Sequence, residues 1–369
     1  MSTFSVKPES LRTFADTISG AASNGGVNLA HLYIQQPDSY VDDYVRIDQG
    51  SGLSDLFRYI LDSNTALVSD LHTTYGDIWP KLSSSGTALA TSATVYQSTD
   101  EAVNAKIDQM WPGAGGAIPA LDEEAAGGRV GDPSHPIAGE PESEVMIPDP
   151  VHWIMDQAGW LSIGNDVLKV ASLFGLDPAG LLTKAIAGDY SMVARAGHAA
   201  EALAQFERNT ARTIAAGLSG MRHGWTGNAA DAATAYFTTF ADAFDAHATQ
   251  LEDVADKYGL IAQSLAEVAT LLAGLLATAI DKLLICAASL AAAGCLEAIP
   301  GVDVLVDLIG AYEVWTTKEA VEAFVKAATY MADTCEAIIL LCTGIAGACK
   351  PGTATTSFPK ASYANRAQA

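Results

Sequence analysis

Apolar residues recur at steps of three and four over much of this chain, and the longest such run lies between Ala194 and Leu272. Its upstream half carries Leu203, Phe206, Thr210, Ile214 and Leu218. Its downstream half carries Phe237, Phe240, Phe244, His247, Leu251, Val254, Tyr258, Ile261, Leu265, Val268 and Leu272. Such alternation holds a stripe on one side of a helix and marks a coiled-coil-like seam. Between the halves, Gly220, Gly224 and Gly227 are expected to break the first helix and allow positive φ. A short connection between two long stripes predicts an antiparallel helical hairpin with Trp225 at its tip.

The same reading organises the rest of the chain. Pro8-Glu9-Ser10-Leu11 starts a helix, which Gly25-Gly26 weakens and Pro37-Asp38-Ser39 ends. A second helix starts near Gly52, with Trp79-Pro80 as an expected kink, and runs on through Tyr96 and Ile107. Residues 1–111 are therefore predicted to form a first hairpin. Residues 112–150 are rich in Gly, Pro and acids and read as a flexible linker. Residues 151–262 hold two short helices, split at Gly175-Leu176-Asp177-Pro178 and set across the hairpin base, followed by the Trp-tipped hairpin. Residues 263–350 are hydrophobic helix, and 351–369 a small, polar, disordered tail. The fold class is all-α: an elongated helical bundle of two hairpins with a hydrophobic C-terminal helical region.

Two runs in that last region, Val268–Ile280 and Leu283–Leu296, are uncharged and interrupted by Asp281-Lys282, and Ala337–Cys349 is uncharged too. Each is shorter than the roughly 20 residues of a spanning helix, so mutual burial is the plain reading. Insertion into a membrane after export is the sharper one. The five cysteines, Cys286, Cys295, Cys335, Cys342 and Cys349, all lie here. The last three recur every seventh residue, roughly 10 Å apart along a helix, so they do not bond to one another. Reduced core thiols are favoured over a bridge to Cys286 or Cys295.

Composition narrows the partners. The 369 residues are 49 % hydrophobic, enough for two or three cores, and 43 acidic against 20 basic residues give a formal charge of -23. Without a Lys/Arg cluster there is no footprint for nucleic acid. Met1 to Pro8 lacks a basic segment followed by an apolar one, so a Sec-type signal peptide is not expected.

The Trp225-Thr226-Gly227 turn between two helical stripes, with small residues after it, resembles the WXG100 superfamily and the PPE-like proteins of type VII (ESX) secretion systems. Without the stripes, a Trp that plugs the end of a helix pair would explain the tripeptide as well. Tyr96-Gln97-Ser98-Thr99-Asp100 fits the Tyr-x-x-x-Asp export motif of type VII substrates, in helical context, where positions i and i+4 share a face. Tyr44 to Asp48 fits it too, in a predicted loop. The opening Val6 to Ala15 is similar to EspC-like secretion targets. The order of a Tyr-x-x-x-Asp hairpin, a linker and a Trp-x-Gly hairpin resembles the single-chain EspB-type substrates over roughly residues 5–262. That resemblance implies that Tyr96, Asp100, Trp225 and Gly227 form one composite secretion signal without a partner chain. The implied partners are the secretion ATPase or a dedicated chaperone, and the implied destination is the medium or the cell envelope, in actinobacterial fashion. Membrane association through 263–350 and self-association of the chain stay open, and a cytosolic helical adaptor is the third alternative.

Catalytic chemistry is not expected. His198 and Glu201 share a helix face, but in reversed order and without the further carboxylates of a di-iron bundle. His247 sits in the seam and reads as a satisfied core histidine. There is no His-Glu-x-x-His, Gly-x-Ser-x-Gly or Walker pattern, no zinc-like Cys/His spacing and no cofactor motif.

Overall fold

Two antiparallel helices, α9 (Tyr190–Gly224) and α10 (Asn228–Ala292), carry the fold. The computed structural model describes residues 4–19, 28–47, 54–99, 101–111, 132–141, 149–293, 310–333, 336–349 and 358–364. Asp189 caps α9 by accepting the Ser191 N–H at 3.0 Å. Both stripes expected of this pair are buried, from Leu203 to Leu218 and from Phe237 to Leu272, apart from the half-buried Val268. Arg208 ties the helices together through Glu252, at 2.5 and 2.9 Å, and Asp245, at 3.1 Å.

Against this pair pack α1 (Pro8–Ser19) and α4 (Asp55–Ser98), joined by α2 (Leu29–Gln35), α3 (Pro37–Tyr40) and a π turn at Val41–Val45; α5 (Glu101–Gln109) follows α4. The expected kink at Trp79-Pro80 lies inside one continuous helix. Ile78 and Leu82 are both fully buried on its core face, and that packing outweighs the one ladder bond a proline removes. Gly220 likewise lies within α9, whereas Gly224 is its last residue, and only Gly227 of the three takes positive φ.

A second core forms lower on α10. There α6 (Pro150–Gln157), α7 (Asn165–Leu173), α8 (Pro178–Ile186) and α11 (Ala311–Asp333) bury Leu182, Leu272, Leu276, Leu283 and Phe324. The two short helices expected over 151–190 are three. They share a core with the distal half of α10, and the expected division at 262/263 falls inside one continuous helix, just before its buried face passes from the first core, at Leu265, to the second, at Ala269. Asp281-Lys282 does not interrupt α10, because Ile280 and Leu283 carry the buried face past them. Helix α12 (Glu336–Ala348) returns to the first core, packing on α4 and α10. The described architecture is thus all-α, a helical bundle with coiled-coil-like seams; its strands are β1 (Ser5–Val6) and β2 (Trp225–Thr226), paired antiparallel.

Two segments expected to be loose are partly docked. In the linker, His135–Ile137 forms a 3-10 turn against α9 with Ile137 buried, braced by Asp132 accepting from the Ser134 N–H and hydroxyl at 2.9 and 2.7 Å. In the tail, the Phe358 ring meets Phe240, Phe244 and His247, while Tyr363 stacks on Trp111 with centroids 5.7 Å apart and planes 7° apart. The expectation of a disordered tail is corrected for 358–364. The aromatic rings at 358 and 363 have apolar surface to bury, which the small polar residues around them lack. Cys286, Cys342 and Cys349 are buried and unbridged, and Cys295 and Cys335 lie outside the described residues.

Candidate functional site

The candidate site is the end of the bundle where the first hairpin meets the Trp225 turn. Gly227 turns the chain with φ +126° and ψ -176°, a conformation open to glycine alone, and serves as N-cap of α10 without a side chain to do the capping. The cap comes from α5 instead. Asp108 accepts the N–H of Asn228 at 3.1 Å and of Ala229 at 2.9 Å, so a buried carboxylate sits at the positive end of the 65-residue α10. A Cβ at 227 would lie 2.7 Å from both Asp108 oxygens. The glycine is thus required twice, by its backbone angle and by the carboxylate above it. Arg222 and Asp231 bridge the two flanks of the turn at 2.6 Å.

The indole of Trp225 is 0 % exposed, and Tyr96 is 6 % exposed with its ring centroid 5.9 Å from that of Trp225. The Phe4 ring also stands 5.9 Å from that of Tyr96, giving three rings in contact, from the residue before β1, from α4 and from β2. Burial, and then the Asp108 carboxylate, push the Tyr96 phenol well above its ordinary range, so it is a neutral group. Asn104 donates to the Tyr96 and Thr99 carbonyls, both at 3.0 Å, and closes the end of α4.

Three of the four residues singled out in the sequence, Tyr96, Trp225 and Gly227, therefore meet at one end of the molecule; Asp100 lies outside the described residues, as does Asp48 of the second motif match. No family of known proteins, curated protein or solved structure matches this chain. Asp108, Asn104 and the segment Phe4–Lys7 around β1 complete the site; of these, only Val6 and Lys7 lay in a stretch that the sequence singled out, and not for a contact with Trp225. Asp108 is one acid among 43 in the chain, and only the packing of α5 against α10 distinguishes it.

Elsewhere, His247 is buried with its Nδ1 2.7 and 2.8 Å from the two oxygens of Glu207, also buried. Burial alone would keep this imidazole neutral. The Glu207 carboxylate, with Cys349 beside the ring, outweighs it and pushes the pKa up to about 10, making a charged pair inside the first core. His198 and Glu201 are exposed on the wall of an open groove of about 570 Å³ between α9 and α10. Among the described residues, no group of three or more His, Cys, Asp or Glu side chains is arranged to hold a metal ion.

Proposed function

We propose that this chain is a non-enzymatic substrate of a type VII (ESX) secretion system, exported folded to the medium or cell envelope, with Tyr96, Asp100, Trp225 and Gly227 as a composite recognition mark read by the secretion ATPase or a dedicated chaperone. One observation carries this reading. Two sequence marks 129 positions apart, on different hairpins, meet ring to ring at 5.9 Å within a single chain. The well-packed cores favour export of a folded unit over an unfolded one.

The test is export from hosts with and without a working type VII system, assayed in culture filtrate and lysate. Because Trp225 is fully buried, Trp225→Ala would lose about 3–5 kcal/mol of stability and confuse the result. Trp225→Phe, Tyr96→Leu and Asp100→Asn are the informative variants. The expected outcome is system-dependent export of the wild type, lost in each variant while lysate abundance and helical content hold. Retention of the wild type in hosts that still export their own substrates would favour the cytosolic adaptor. Export that survives all three substitutions would discard the composite mark.

A second reading, membrane insertion by residues 263–350, is favoured by a specific observation. Helix α10 contains an 18-residue stretch of mean hydropathy 1.9, of which only 44 % is buried, and Leu271, Leu284 and Ile285 lie exposed along this part of the helix. Co-sedimentation of the full chain with anionic and zwitterionic vesicles tests it; recovery in the supernatant with both removes it.

A further inference from the structure

The recognition mark is covered by the chain's own first strand. Lys7 N–H donates to the Gly224 carbonyl at 2.6 Å, and the ladder aligns Val6 with Trp225 and Ser5 with Thr226. In an antiparallel pair, a hydrogen-bonded Lys7/Gly224 position makes Val6/Trp225 the next, closely spaced position, where the two side chains share a face. Phe4 then closes over Tyr96. A partner therefore cannot touch the Trp225 ring while this strand is seated.

The seat is weak where it matters. Its ladder is two residues long, Ser5 and Lys7 are exposed, and Phe4 and Val6 are only half-buried. The Trp225 indole N–H is buried and has no acceptor among the described residues. A buried donor without a partner costs the closed state about 1–3 kcal/mol, which an incoming segment with a suitable oxygen would recover.

The geometry points to strand exchange at this turn: an extended segment of a partner protein displaces Phe4–Lys7, pairs with Trp225-Thr226 in the same antiparallel register, and sets an aromatic side chain on Tyr96. Such edge addition draws affinity from backbone hydrogen bonds and selectivity from alternate side chains. The segment it fits has an aromatic residue, one spacer, and a residue carrying an oxygen acceptor that faces Trp225. The inference rests on the reading of Trp225 as a recognition mark. It is testable without any secretion machinery, so its failure is distinguishable from failure of the export assay.

The experiment uses a labelled peptide copying residues 1–9 as the stand-in segment, titrated by fluorescence anisotropy into the full chain and into a variant lacking residues 2–7. Saturable binding is expected to the variant and at least about tenfold weaker binding to the full chain, whose edge is occupied. A peptide carrying F4A is expected to lose most of that binding. Equal binding to both proteins, binding to neither, or indifference to F4A would overturn strand exchange. Should the shortened variant lose its helical content, the full chain carrying Phe4→Ser and Val6→Ser replaces it, read by amide hydrogen exchange. Faster exchange at Thr226 with the α9 and α10 interiors unchanged supports a displaceable strand, and unchanged exchange at Thr226 overturns it.

Discussion

At Gly227, a backbone angle and a neighbouring carboxylate impose the same residue. Gly227→Ala meets both a φ of +126° and the Asp108 oxygens, and is expected to cost about 2–3 kcal/mol in urea denaturation. Asp108→Ala removes a cap from another element and is expected to cost about 1–2 kcal/mol. The double variant relieves the contact but keeps the angle, so its loss should fall short of the sum; strict additivity would show that Asp108 does not press on position 227. The Glu207–His247 pair carries a pH signature of defined sign. The His247 pKa is raised from 6.5 to about 10 in the folded chain, so its stabilising share is complete below pH 6.5 and is lost as pH rises towards about 10. In that window the folded state holds a proton the unfolded state lacks, and stability should fall by up to about 1.4 kcal/mol per pH unit. Denaturation curves of wild type and Glu207→Gln across this range check it, since the variant should lack that slope. Of these residues, Trp225 and Gly227 stood out along the chain by type and spacing. Asp108 and Glu207 did not, because a buried acid and a solvated acid look alike until the elements that desolvate them are assembled.

Helices were legible as elements because a 3.6-residue period repeats over many turns, and their ends were less legible because single residues decide them. Gly220, Pro80 and Asp281-Lys282 each weaken a helix locally, yet α9, α4 and α10 continue through them on the strength of buried neighbours. The tail teaches the same lesson in reverse. Phe358 and Tyr363 are single aromatics in a polar stretch, without a period to announce them, and their partners Trp111, Tyr236, Phe237, Phe240 and Phe244 belong to distant elements. Tyr363→Ala is expected to cost about 3 kcal/mol, because it empties a site only 5 % exposed and leaves Trp111 without its stacking partner. A loss under about 0.5 kcal/mol by thermal or urea unfolding would mean that the tail segment does not stay docked in solution.

For the molecule as a whole, α10 is the shared wall of two cores, the first with α1, α4 and α9 and the second with α6, α7, α8 and α11. Substitutions on the Glu207–His247 side and on the Phe324 side lie in separate clusters, so their costs should add; a double variant such as Glu207→Gln/Phe324→Leu, compared with its single variants, checks this by urea denaturation. The sequence by itself determined the all-α class, the Trp-tipped hairpin and the residues at its tip, since periodicity and turn chemistry are local properties that a chain displays before it folds. Only the tertiary structure decided that Tyr96 meets Trp225, that Asp108 caps α10, that Phe4–Lys7 covers the turn and that part of the tail docks. Each of these joins residues far apart in the chain, and burial, which sets what such residues can do, exists only once the helices have packed.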